Sequence, residues 1–147
     1  MKHSELNWDQ SPQFMYRVIV DNSAIDSYAH VNNSVYLRWL DECARAHSFE
    51  LGIDCDQAVE FGFGMAVRES RVSYLAAGFE NETLIVGTSI VQNDLKLRIV
   101  REFQIIRPSD GATLIRAEID YVCINIKTGR PSKMPNEFKE LYVCCDK

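Results

Sequence analysis

No apolar run in the 147 residues approaches the roughly 18 that cross a bilayer. The first residues, MKHSELNWDQSPQF, also lack the apolar segment of a secretory signal. A cytoplasmic protein with no membrane span is expected. Basic clustering is missing too. With 16 Lys and Arg against 21 Asp and Glu, the formal charge is −5, and no positive run offers the footprint that a phosphate backbone requires. Nucleic acid is therefore not expected as a partner. The cysteines Cys43, Cys55, Cys123, Cys144 and Cys145 form no CxxC pair and have no His at ligand spacing. They predict reduced thiols, with no metal and no cofactor implied. Internal repeats, low-complexity tracts and linkers are likewise absent.

What is present is an ordinary globular composition, 46% apolar and 25% charged. The length suits one domain, residues 1–147, able to bury a core without disulfides or metals. Residues 1–13 read as a polar leader. FMYRVIVD then predicts a first strand over about Phe14 to Asp21, being rich in β-branched and aromatic residues. NSAIDSYAH reads as a loop. From Asn33 to Leu51, Tyr36, Leu40, Cys43 and His47 fall on one line, with Val35, Trp39 and Ala46 beside it. That spacing is helical, and Gly52 supplies a stop. A short turn or helix over Asp54 to Phe61 precedes the extended run GFGMAVRESRVSYLAA. Three more strands are predicted in ETLIVGTSIVQ, LKLRIVREFQIIR and TLIRAEIDYVCINI. The separators AGFEN, ND and RPSDGA are turn-like, so a meander of antiparallel hairpins is the economical topology. PNEFKELYV reads as a terminal helix with Pro135 near its first turn.

Strand, long helix, then several long strands is the signature of an α+β fold with one helix packed on an antiparallel sheet. Ile115, Ala117 and Ile119 alternate with Arg116, Glu118 and Asp120, which gives the sheet one buried and one wetter face.

The segment IDSYAHVNNSVYLRWLDECAR crowds an acid, a histidine and two asparagines where that helix begins. A helix start has unpaired N–H groups and a partial positive charge, so it can receive an oxyanion. Asp26 in the preceding loop could act on a neighbouring carbonyl. Asn32 or Asn33 fits the N-cap, and His30 and Tyr36 could orient Asp26, a water or the acyl group. The same residues would also serve any loop before a helix, for turn and capping reasons alone.

DSYAHVNNSVYLRWLDECAR resembles the start of the long helix in hotdog-fold thioesterases of the 4-hydroxybenzoyl-CoA thioesterase type, with the pattern D-x-D-x-x-G-H-V-N-N-x-x-Y-L-R. RVSYLAAGFENETLIVGTSI and DYVCINIKTGRPSKMPNEF are similar to that family's later strands and turn. The likeness covers roughly Tyr16 to Leu141. It implies a hotdog fold, an antiparallel sheet wrapped around one central helix, and hydrolysis of acyl-CoA or acyl-carrier-protein thioesters. Asp26 matches the family's catalytic carboxylate, as nucleophile or general base, and the Asn33 amide matches its oxyanion donor. A thiolate leaving group with a pKa near ~8.5 departs without a strong acid, so no Ser-His-Asp arrangement is needed. Where the pattern has its first Asp and its Gly, this chain has Ala24 and Ala29. The loop conformation thus depends on what Ala29 can adopt.

The resemblance also makes Asn32, Lys96, Arg98 and Arg101 candidate substrate-binding residues, the three basic ones for CoA phosphates. An ordinary basic strand face is the alternative. Asp41 and Glu42 suit surface pairing with Arg38 and Arg45. His47 and Cys43 read as packed residues. A homodimer or homotetramer is expected, because an open strand edge requires cover. Two other functions compete with hydrolysis. A hydratase or dehydratase of this fold spaces its Asp and His one residue wider than Asp26 and His30, and a non-catalytic acyl-CoA sensor would carry a DNA-binding module.

Overall fold

The computed structural model describes residues 6–145. At its centre is α1, Asn33–Leu51. Val35, Tyr36, Trp39, Leu40, Cys43, Ala44 and His47 are buried along it, an i, i+3, i+4 stripe that drives the helix into the core. Asn32 caps the start, its Oδ1 accepting from the Ser34 amide at 2.9 Å. Gly52 ends the helix at φ 103°, a left-handed conformation natural to glycine. Leu40 has no exposed surface, so its truncation to Ala would cost about 2–5 kcal/mol.

Five strands wrap this helix: β1 Phe14–Ile19, β2 Phe63–Tyr74, β3 Thr83–Asn93, β4 Arg98–Arg107 and β5 Ala112–Asn125. Their spatial order is β1-β3-β4-β5-β2, every pair antiparallel. This is the hotdog arrangement. Two short helices complete it, α2 Cys55–Glu60 and α3 Asn136–Leu141, the latter capped by Pro135. Along β5, Ile115, Ala117 and Ile119 are buried while Arg116 and Glu118 are exposed, as the alternation predicts.

Three features depart from the expectation. The meander holds for β3, β4 and β5, but β2 pairs with β5 rather than with β3. Residues 75–82 are therefore a crossing connection from the β2 edge to β3, next to the opposite edge strand β1, not a hairpin, because the chain returns from α1 beside β5. The first strand stops at Ile19, and Asp21 instead caps a 3-10 turn, Asn22–Ala24. Most notably, the described part of the leader is not a loose prelude. Leu6 and Trp8 pack with Met15, Ile85 and Ile106 on the outer face of the sheet. Trp8 lies so close to Gly87 that a Cβ there would sit 2.7 Å from its ring. Asp9 fastens this strap by two contacts to Arg116, at 2.7 and 3.0 Å. Strands β3 and β4 are thus buried on both faces.

Candidate active site

The loop before α1 is folded by its own polar residues. The Asp26 amide donates to the His30 carbonyl at 2.9 Å, and the Ala29 amide to the Asp26 carbonyl at 3.0 Å. Asp26 Oδ1 accepts from the Tyr28 amide at 2.9 Å, which fixes the carboxylate and leaves Oδ2 without a partner among the described residues. Ala29 adopts φ 62°. The left-handed turn is therefore kept without glycine, at a cost of about 1–2 kcal/mol.

A second segment holds the loop from the other side. The Val31 amide donates to the Gly78 carbonyl at 3.0 Å, and the Asn32 amide to the Ala24 carbonyl at 2.8 Å. In return the Gly78 amide donates to Tyr36 Oη at 2.9 Å. A Cβ on Gly78 would lie 3.1 Å from Val31 and 3.2 Å from Tyr36 Oη, so any larger residue would have to push these neighbours back by a few tenths of an ångström. Arg107 pins that connection by donating to the Ala77 carbonyl at 3.0 Å and to Glu82 at 3.4 Å. Burial raises the Tyr36 phenol above its ordinary range. It stays neutral, accepts from Gly78 and retains its own proton to donate.

Asp26, His30, Asn33 and Tyr36 all line one cleft of about 370 Å³, with Tyr28, Tyr74 and residues 75–77 as its walls. The Asn33 amide, first of the helix, has no acceptor among the described residues. A carboxylate, a free helix-start amide and a phenol thus share one space, which is the equipment for attack on a carbonyl. His30 is exposed and meets Phe79 edge-on at 5.2 Å. The sequence alone does not single out Tyr28, Gly78 or Arg107. Gly78 is visible there only as a turn signal, and Arg107 acts through contacts remote in sequence.

The other four candidates lie elsewhere. Asn32 serves the cap and does not line the cleft. Lys96 is exposed in the turn before β4. Arg98 is exposed but tied to Asp120, Nε to Oδ1 at 3.1 Å. Arg98 pairs in register with Val122, whereas the cleft adjoins Leu114, whose carbonyl accepts from the Leu75 amide. Eight residues of strand separate them, about 26 Å at roughly 3.3 Å each. Arg101 differs from Lys96 and Arg98 in not reaching the surface. It is 2% exposed and inside the core, because it shares the inward face of β4 with Ile99, Phe103 and Ile105. Asp41 and Glu42 pair with Arg45 and Arg38 on the surface, at 3.3 and 3.6 Å. No described helix is long and apolar enough to cross a membrane.

The model of the family described as the thioesterase-like superfamily matches residues 20–141. The long-chain acyl-CoA thioesterase FadM of Escherichia coli is 26% identical over 79% of this chain and 86% of its own. A 1,4-dihydroxy-2-naphthoyl-CoA thioesterase from Synechocystis superposes with a TM-score of 0.80 at 17% identity, covering 88% of this chain and 94% of that one. A Staphylococcus aureus protein solved in complex with CoA gives 0.79 at 19% identity, covering 90% and 83%.

Proposed function

This chain belongs to the thioesterase-like superfamily as a hotdog-fold thioesterase, and from that premise we propose that it hydrolyses acyl-CoA thioesters with Asp26 as the acting carboxylate. The observation that carries the reading is the meeting of Asp26, Asn33 and Tyr36 in one cleft. A thioester carbonyl placed there would present its carbon to the carboxylate and its oxygen to the Asn33 amide. That amide points along the positive end of α1, where developing negative charge is stabilised.

In the general-base form, Asp26 takes a proton from water as its oxygen bonds to the carbonyl carbon. The tetrahedral oxyanion is held by the Asn33 N–H, then collapses as the C–S bond breaks. The thiolate leaves and takes the proton held on Asp26, and the carboxylic acid loses its remaining proton to solvent as it departs. In the nucleophilic form, Asp26 itself bonds the carbon, the C–S bond breaks to release the thiolate, which takes a proton from solvent, and water then opens the mixed anhydride to give the acid and restore the carboxylate. His30 and Tyr36 position water and acyl group in either case. CoA is the thiol favoured by the named relatives. Lys96 and Arg98 are exposed candidates for its phosphates, the latter on release from Asp120, and within one chain they lie about 26 Å along the strands from the cleft. Asn32 contributes through the cap it builds.

We read the whole chain as one hotdog domain that works as a homodimer or homotetramer. Among the described residues no strand pairs with the outer edge of β2, and Val67, Tyr74 and, just past its end, Leu75 stand exposed at 57%, 46% and 50%. Sedimentation at working concentration should give a species larger than the monomer.

The test of the chemistry is Asp26→Asn on a panel of aromatic and aliphatic acyl-CoA and acyl-carrier-protein thioesters, with released thiol read by a disulfide reagent. Turnover is expected to fall by about 10²–10⁴, the usual share of a carboxylate base, with circular dichroism unchanged. A folded variant with wild-type turnover would remove Asp26 from the mechanism.

A further inference from the structure

The crossing connection over residues 75–82 runs outside any strand, so its backbone polar groups must find partners one at a time. Its ends are tied to main chain, the Leu75 amide donating to the Leu114 carbonyl and the Asn81 amide to the Val20 carbonyl, both at 2.8 Å. Its middle is held by side chains. Arg107 Nη1 donates to the Ala77 carbonyl at 3.0 Å, the Gly78 amide donates to Tyr36 Oη at 2.9 Å, and the Phe79 amide donates to Glu82 Oε1 at 2.6 Å. Arg107 also reaches that same Glu82 oxygen, at 3.4 Å.

The shape of arginine suits this task. One edge of the guanidinium, Nε and Nη2, donates to the two oxygens of Asp110 at 3.1 and 3.0 Å, which leaves Nη1 facing the connection. Asp110 is itself held in the turn after β4, where its Oδ1 accepts from the Ala112 amide at 3.0 Å. The fork is therefore oriented from behind, by a turn that does not line the cleft. The Arg107 side chain is only 14% exposed, whereas the Arg45–Asp41 and Arg116–Asp9 pairs leave half or more of each side chain in solvent. Exposed pairs of that kind contribute little, and the shielded bonds of Arg107 are screened less.

We infer, on the reading that hydrolysis takes place at the Asp26 cleft, that Arg107 is a positioning residue for it: through Ala77 and Glu82 it holds the Gly78 amide on Tyr36 Oη and so aims the Tyr36 hydroxyl into the cleft. Arg107 does not line the cleft itself. With one lone pair given to the Gly78 N–H, the phenol's own proton is turned away from Gly78. The Gly78 carbonyl accepts from the Val31 amide at 3.0 Å, beside His30, so whatever fixes Gly78 fixes both the hydroxyl and the loop. Charge acts in the same direction. Burial raises the Tyr36 phenol and the Gly78 hydrogen bond lowers it; beyond these, the Glu82 carboxylate raises it and the Arg107 guanidinium lowers it. Without Arg107 the phenol would be a poorer hydrogen-bond donor as well as a looser one.

Arg107→Met in the full chain tests this with two readouts. Hydrogen exchange followed by NMR needs no substrate: the Gly78 and Val31 amides should exchange about 10–100-fold faster, the effect of losing a charged hydrogen bond, and gain more than the Leu40 amide, which reports global opening. Thiol release from acyl-CoA should show kcat lower by about 10–100-fold with KM within about threefold, since the loss is one of alignment. Added to Tyr36→Phe, Arg107→Met should lower kcat by no more than about twofold further, because both act through one contact. Should Arg107→Met fail to fold, Arg107→Lys carries the test, since an ammonium keeps the charge but cannot hold both Asp110 oxygens in parallel while reaching Ala77, and a change of about fivefold or more is expected in both readouts. Asp26→Asn should cut turnover and leave the exchange at Gly78 and Val31 as in the wild type, so its failure condemns the assignment of Asp26 and not that of Arg107. Wild-type kcat in a folded Arg107 variant, losses that multiply with that of Tyr36→Phe, or exchange at Gly78 and Val31 rising no more than at Leu40 would overturn the inference.

Discussion

Acidification from pH 7.5 to 4.5 should strip about 2.5 kcal/mol of stability through His47 alone. The imidazole is 3% exposed, stacks on Phe14 with centroids 5.2 Å apart, and faces Arg101 Nη1 across 2.7 Å. Because the guanidinium can only donate, Nδ1 must accept, and the ring is neutral in the fold. Burial first, and the charge of Arg101 second, lower its pKa to about 4 from the ordinary 6.5. Between those values the unfolded chain binds a proton that the folded one refuses. Stability is therefore complete above pH 6.5 and declines as pH falls towards 4. Each tenfold difference in proton affinity between the two states is worth about 1.36 kcal/mol, and most of the loss has accrued by pH 4.5, which gives the figure of about 2.5. Carboxylates such as Asp9 and Asp120 are held below their ordinary range by Arg116 and Arg98, so their contributions are lost only at lower pH. Urea unfolding at pH 7.5, 6.5, 5.5 and 4.5 measures the effect. His47→Asn keeps an acceptor for Arg101 but does not titrate, and its profile should be flatter by about the same 2.5 kcal/mol. If the variant lost as much as the wild type over this window, the protonation argument would be wrong.

Other expectations are simpler to check. Ala29→Gly releases the strain of φ 62° but loosens the unfolded chain, so a net gain of about 0.5–1 kcal/mol is expected, or about 2–4 °C in melting temperature. Tyr36→Phe removes the acceptor of the buried Gly78 amide, which should cost about 1–3 kcal/mol. It should also lower thiol release more than it weakens substrate binding, since the crossing connection then loses its hold on the cleft. Gly78→Ala should act similarly, by crowding Tyr36 Oη rather than deleting it, with a stability loss of about 1–3 kcal/mol read by chemical denaturation.

The parts legible in the sequence are those settled within a few residues. The α1 stripe follows from its 3.6-residue period, and its ends from Asn32 and Gly52. The cleft residues Asp26, His30, Asn33 and Tyr36 occupy eleven consecutive positions, so their meeting needs little more than one loop and one helical turn. Strand order is different. Nothing local in GFGMAVRESRVSYLAA says that it pairs with β5, because that contact joins segments far apart along the chain. Arg101 shows two signals in conflict. In LKLRIVREFQII it falls in step with Ile99, Phe103 and Ile105, and the alternation places it inward even though its charge argues for the surface. The strap is harder still to read, resting on Leu6 and Trp8 and on the missing side chain at Gly87.

That strap has a consequence for biogenesis. Trp8 leaves the ribosome well before the glycine it rests on, and Asp9 waits 107 residues for Arg116. The nascent polypeptide thus carries Trp8 without its Gly87 seat until β3 has emerged, and Asp9 without Arg116 until β5 has, so this outer cover cannot close before the strands it rests on.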